Sequence, residues 1–188
     1  MSVLRAGKVK APPKNIHGKK FEAAIDEVFR ALLLTHRCHW RRILDSAAAG
    51  NIISSTEGDF ELLVPGEKAR PFGFVVECKA STEYTSLGHC FRSLVKVGQL
   101  ANMRLRIRGG MYGVYLFHSV ENDEVEIWSA APIIEAHPLK RQKFYCQPAV
   151  VVSKDNFHIY AKQWVQDPLA FLNKLIRSET VPVGVQHE

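Results

Sequence analysis

The sequence predicts an α/β domain in which a mixed central β-sheet is flanked by helices. Stretches with apolar residues at helical spacing interleave with strand-like apolar runs in the order α, β, β, α, β, β, followed by a further strand and helix. The chain has 188 residues, 46% of them hydrophobic and 23% charged, which is enough for one ordinary domain with its own core and excludes a disordered or fibrous chain for most of its length. The longest apolar runs, such as Ala31–Leu34 and Ala149–Val152, are far too short to cross a bilayer, so no membrane partner is expected.

Each element has its own warrant. The opening helix is expected from Gly18 to about Thr35–Arg37, with Phe21, Ala24, Ile25, Val28, Phe29, Leu32 and Leu33 in one stripe. A basic cluster, His36–Arg42, and a small-residue loop, Ala47–Asn51, follow. Phe60, Leu62 and Val64 alternate with Asp59, Glu61 and Leu63 until Pro65-Gly66, which reads as the first strand of a hairpin. Phe74–Lys79 reads as the second, apolar enough at its start to be buried on both faces. A single helix is expected at about Leu87–Met103, with Leu87, Cys90, Leu94, Val97, Leu100 and Ala101 inward. Gly109-Gly110 breaks the chain before a strand at Tyr112–Val120, and Glu121–Glu124 turns it into another at Val125–Ala130. Ala149–Val152 reads as a strand, and Pro168–Arg177 as a helix opened by Asp167-Pro168. Residues 18–180 then form one domain, between a flexible basic arm (1–17) and a loose tail (181–188).

Charge and cysteine usage narrow the setting. The chain carries 25 Lys and Arg against 19 Asp and Glu, and six of those cations (Arg5, Lys8, Lys10, Lys14, Lys19, Lys20) fall in the first twenty residues with no acid among them. The remainder is formally neutral, so the excess of +6 belongs to these first twenty residues, whose natural partner is a polyanion. Cys38, Cys78, Cys90 and Cys146 lie far apart without a CxxC, which reads as free thiols in a reducing compartment. With no apolar leader in Met1–Lys10, the expected location is intracellular and cytoplasmic, including a phage protein acting in its host's cytoplasm.

Four residues carry candidate chemistry. Glu77 and Lys79 are two apart on a strand, so their side chains leave one face of the sheet. If the hairpin strands are neighbours, the carboxylate of Asp59 lies beside that of Glu77. Two carboxylates held together repel, and a divalent cation with oxygen ligands relieves the repulsion; Mg²⁺ suits such a site, with Mn²⁺ as the alternative. Glu22, early in the first helix, adds a third acidic ligand, directly or through water. Lys79 can steady an attacking water or the oxyanion at phosphorus. Mixed-charge strands also produce Glu-x-Lys with no metal at all. This one closes a strongly apolar strand, where ionised groups are costly unless compensated. Glu61 shares the parity of Asp59 and is the competing ligand, although it reads as a solvated strand residue; Asp45 is a further candidate.

Gly18-Lys19-Lys20-Phe21-Glu22 opening a helix, then Gly58-Asp59-Phe60, then Val76-Glu77-Cys78-Lys79, then Gln99 on the next helix, resembles the PD-(D/E)XK nuclease superfamily. Within it the pattern is similar to Holliday-junction resolvases of the RecU and archaeal type, including compact phage members. The stretch Ser54–Phe60 resembles the Ser/Thr-rich segment before the metal-binding Asp, and Gln99, Gly109-Gly110 and Gly113–Phe117 match the family's helix Gln, glycine turn and following strand. Gly58 stands where the superfamily name has Pro, and no long stalk insertion precedes the hairpin. The resemblance covers about Gly18 to Ala130. It implies a restriction-endonuclease-like core, metal binding by Asp59 and Glu77, Glu22 as the helix acid that completes the site, Lys79 as the catalytic lysine and Gln99 as an auxiliary polar group.

A basic edge points to nucleic acid independently. From Tyr84 to Val120 there is no acid, while Arg92, Lys96, Arg104, Arg106 and Arg108 fall there. With Lys8, Lys10, Lys14, Lys19, Arg41 and Arg42 these are the expected DNA contacts. The reading is a Mg²⁺-dependent endodeoxyribonuclease for branched DNA, a Holliday-junction resolvase, homodimeric because a junction offers two symmetry-related strands to cut. The alternatives are another nuclease of the same superfamily, acting in restriction or repair, and a non-catalytic DNA-binding module of the same fold.

Overall fold

The longest strand organises the molecule because its side chains are buried on both faces. In the computed structural model, which describes residues 16–43, 59–66, 70–137 and 147–179, Phe74 to Cys78 are all buried within β3 (Phe72–Ser81). Alternate residues serve opposite layers. Phe74, Val76 and Cys78 join one apolar core, and Val75 joins a second on the other side of the sheet.

The sheet holds six strands in sequential order: β1 (His39–Arg42), β2 (Phe60–Val64), β3, β4 (Tyr112–Ser119), β5 (Glu124–Ser129) and β6 (Val150–Ser153). Every neighbouring pair is antiparallel except β3 and β4, which run parallel and therefore need a crossover. Two helices, α2 (Leu87–Leu94) and α3 (Val97–Arg108), make it. They cover the Val75 face together with α4 (Ala130–Ala136). The opposite face is covered by α1 (Ile16–Leu33), α5 (Phe157–Gln166) and α6 (Pro168–Glu179). The mixed sheet flanked by helices is therefore as expected.

Several elements differ from expectation. α1 begins at Ile16, so positions 16 and 17 of the expected arm are helical; Gly18 is buried against the fold, and packing outweighs its low helix propensity. It also ends early, at Leu33, where the N–H groups of Thr35 and His36 both close onto the carbonyl of Leu32. The expected helix at Leu87–Met103 is two. Val95 adopts an extended backbone and buries its side chain, and the N–H of Lys96 is capped by Gln99 Oε1 at 3.2 Å, which restarts the helix. The restart resets the helical phase, so Val97 (73% exposed) and Ala101 face outward, while Leu87, Cys90 and Leu100 are buried.

Three elements were not expected. β1 lies in the basic cluster, where Trp40, stacked between Phe29 and Phe60, is the one inward apolar side chain. α4 starts as β5 ends, its first turn capped by Ser129 Oγ accepting from the N–H of Ala131. α5 buries Phe157, Tyr160, Ala161, Trp164 and Val165, a helical stripe present in the sequence but not read there. The arm residues Lys8, Lys10 and Lys14, the loop at 47–51, Asp45, Gly58, Cys146 and the tail 181–188 lie outside the described residues. Among the described residues, no helix is long and apolar enough to cross a membrane.

Candidate functional site

A cleft of about 690 Å³ opens where the start of β2 and the later part of β3 meet α1 and α3, and Glu22, Asp59, Lys79 and Gln99 all line it. Antiparallel pairing of β2 with β3 is the local cause. Phe60 sits opposite Val76, so the residue before it, Asp59, falls beside Glu77. The Asp59 N–H donates to the carbonyl of Val76 at 3.1 Å, and its Oδ2 accepts the Cys78 N–H at 2.6 Å. Its orientation is thus set by main chain on either side of Glu77.

Glu77 is 1% exposed. Its Oε1 accepts from both Lys79 Nζ and Gln99 Nε2. Gln99 also accepts from the Lys96 N–H, so the break between α2 and α3 is what aims its amide at Glu77. α1, anchored by buried Phe21 and Ile25, brings Glu22 to the same cleft, where its Oε2 accepts from Arg42 Nη2 at 2.7 Å.

The electrostatics record how close these groups lie. Burial, helped by Asp59 and Glu22 and opposed by Lys79, pushes Glu77 up to about 7. Burial also raises Asp59, against Lys79, the Cys78 N–H and Arg42. Glu22 is raised by burial and then by Asp59, against Arg42 and Lys79. Burial alone would lower Lys79, but Glu77 and Asp59 more than offset it and hold the ammonium above its ordinary value. Burial therefore opposes ionisation of all three carboxyls, and the charge of Asp59 adds to it at Glu22 and Glu77, a cost that a hard divalent cation with oxygen ligands relieves. Among the described residues no three or more His, Cys, Asp or Glu side chains converge into a ready-made cage. Mg²⁺ asks for less, since it takes one or two carboxylates and completes its shell with water and phosphate oxygens. The donor set fits.

Glu61 departs from the solvated strand residue that the sequence suggests. It is buried, not solvated, and its carboxylate lies between Arg41 Nη2 at 2.8 Å and Arg106 Nη1 at 3.6 Å. Its register partner is Val75, one row from Glu77, and it does not line the cleft. It is an internal counter-ion to two arginines.

The expected DNA contacts are dispersed. Lys96 lines the cleft, and Lys19 is exposed on α1 near Glu22. Arg92 is half-buried, with its guanidinium over the Phe91 ring. Arg104 Nη2 donates to the Ile134 carbonyl, tying α3 to α4, while Arg106 turns inward to Glu61. Arg108 is exposed at the end of α3. Arg41 and Arg42 are both ion-paired, to Glu61 and Glu22.

Two features of the site were not read in the sequence. The turn after β3, in which Ser81 Oγ accepts from the N–H groups of Glu83 and Tyr84, forms a wall of the cleft. Tyr115 stands opposite Glu77 on β4 with its hydroxyl buried and unpartnered among the described residues, and burial, then Glu77 and Asp59, raise its phenol. Only a Ser/Thr-rich stretch following Lys79 hints at the first; nothing marks the second. No protein-family model matches this chain, and neither does any curated protein.

Proposed function

We propose that this protein is a divalent-metal-dependent DNA endonuclease, acting on four-way junctions as a homodimer. The observation that carries the reading is the arrival of Glu22, Asp59, Lys79 and Gln99, from separate elements, at one cleft with Glu77 directly beneath.

Asp59 and Glu77, with Glu22, are the residues that would hold the metal. A divalent cation there supplies an activated water and neutralises charge that builds on phosphorus. Lys79 is a cation in direct contact with these carboxylates, held by Glu77 and kept protonated by Glu77 and Asp59. It holds the attacking water and stabilises the oxyanion as charge grows there. Gln99 fixes the carboxylate plane of Glu77 and keeps Oε1 occupied. Lys96, at the rim, receives the phosphate backbone of the entering strand.

Selectivity for junctions comes from shape and dimer spacing, so substrate comparison is the decisive test. A matched panel of four-way junction, Y-fork, duplex and single strand, each with Mg²⁺ or EDTA, should yield symmetric paired nicks on the junction and none in EDTA. Equal cutting of plain duplex would move the assignment to a restriction or repair nuclease. No cutting of any substrate in Mg²⁺ or Mn²⁺ would leave a DNA-binding module.

A further inference from the structure

Arg41 and Arg42 are adjacent on the edge strand β1, and the pleat sends their side chains to opposite faces of the sheet. Arg41 goes to the buried carboxylate of Glu61, away from the cleft. Arg42 goes the other way, with its guanidinium over the Phe60 ring at 5.9 Å and Nη2 2.7 Å from Glu22 Oε2. The two members of that second pair differ in surroundings. The Arg42 side chain is 51% exposed and that of Glu22 only 16%. The carboxylate is held by the fold, and the guanidinium is the solvent-facing partner. Its charge also reaches Asp59, where it favours the ionised form.

A count of charges shows what this arrangement can do. With all three ionised, as a bound cation would hold them, Glu22, Asp59 and Glu77 bring three negative charges, and the two cations in direct contact with them, Lys79 and Arg42, bring two positive. Lys79 is buried against Glu77 and cannot be re-aimed without breaking that pair. Arg42 can turn outward into solvent. A divalent cation held by one or two of these carboxylates would leave one positive charge in excess, and a phosphodiester brings one negative charge. Arg42 is the group placed to meet it, and a guanidinium fits two phosphate oxygens at once.

We propose that Arg42 is an exchangeable counter-ion: it gives up Glu22 to a divalent cation and takes a non-bridging phosphate oxygen of the DNA strand in the cleft. This rests on the nuclease reading above and adds a positioning residue to it, one that couples metal uptake to strand binding. An ion pair that stayed on Glu22 throughout would take no phosphate, and its loss would leave the salt dependence of DNA binding unmoved.

The test is calorimetric titration of Mn²⁺ alone into the wild-type chain and into Arg42→Gln, Arg42→Lys and Arg41→Gln, without DNA. Arg42→Gln should bind Mn²⁺ about two- to fivefold more tightly, the scale of one partly exposed charge pair. Arg42→Lys keeps the charge and Arg41→Gln alters a pair that does not line the cleft, so both should match wild type. In Ca²⁺, Arg42→Gln should bind a four-way junction more weakly, with a log K against log salt slope smaller by about 0.9, the value of one neutralised phosphate. Unchanged or weaker Mn²⁺ binding by Arg42→Gln, an equal gain in Arg41→Gln, or an unchanged salt slope would overturn the proposal while leaving the metal site standing. A wild-type chain that takes up no Mn²⁺ would overturn both.

Discussion

The backbone N–H of Cys78 donates to Oδ2 of Asp59 at 2.6 Å, so the residue between Glu77 and Lys79 orients the first acid of the site through its main chain. Its side chain does other work, packing into the core beneath α1, where burial pushes the thiol well above its ordinary value. The two roles separate by substitution. Cys78→Ala should keep cleavage near wild type and cost about 1 kcal/mol in a denaturant melt. Native Cys78 should resist alkylation until the chain unfolds. Loss of cleavage in a folded Cys78→Ala protein would show that the thiol itself takes part.

The acids and the lysine should fail differently. Asp59→Asn and Glu77→Gln should lose cleavage together with Mg²⁺-induced thermal stabilisation, because each removes a donor from the cation. At pH 8 in EDTA, Asp59→Asn should melt no lower than wild type, since one of the mutually repelling charges is gone. Lys79→Ala should lose cleavage by about 10²- to 10³-fold while keeping the metal-induced shift, since its ammonium serves the reacting phosphate. A collapse of that shift in Lys79→Ala would make the lysine a structural partner of Glu77.

His118 supplies a pH dependence away from the metal site. It stacks on Phe21 at the start of α1 and lies 3.3 Å from Asp123 Oδ1, with Lys154 and His17 among the charges facing it. Burial lowers it below its ordinary 6.5, more than Asp123 raises it. The folded chain therefore binds its proton less readily than the unfolded chain. This contribution to stability is present above pH 6.5 and is lost as pH falls through the lower native value. Between pH 7.5 and 5.5, denaturant melts of His118→Gln should show less acid destabilisation than wild type, whatever the offset at neutral pH. Parallel pH profiles for the two proteins would show that His118 contributes nothing to the acid response.

The basic arm is tested by truncation short of α1, which begins at Ile16. Removing residues 1–14 deletes Arg5, Lys8, Lys10 and Lys14. Junction binding should weaken, and its salt slope should fall by up to about 0.9 for each phosphate that the arm no longer neutralises. The melting temperature should not change. An unaltered slope would mean that the arm does not touch DNA.

Much of the site was legible because its chemistry sits on short, local patterns. Glu77 and Lys79 share a face wherever that segment is a strand, and the apolar run Phe74–Val76 leaves little else for it to be. The alternation of Phe60, Leu62 and Val64 and the stripe of α1 were equally local, so the neighbouring hairpin strands and the helix bearing Glu22 could be placed by period alone. The sheet and its flanking helices followed from the order of those periods.

Tertiary structure decided whatever depended on which buried group meets which. Glu61 and Asp59 have the same parity, yet β1 brings Arg41 to Glu61 and α3 brings Arg106, while Asp59 is turned to the cleft by the Cys78 N–H. Arg41 and Arg42 look alike in sequence, and only the pairing of a four-residue edge strand gives them opposite partners. The break at Val95–Lys96 interrupts a continuous helical pattern, because burying Val95 and capping Lys96 with Gln99 outweigh the helix's own hydrogen bonds there. Periodicity reports the face on which a side chain lies; long-range pairing and desolvation determine the charge it will find there.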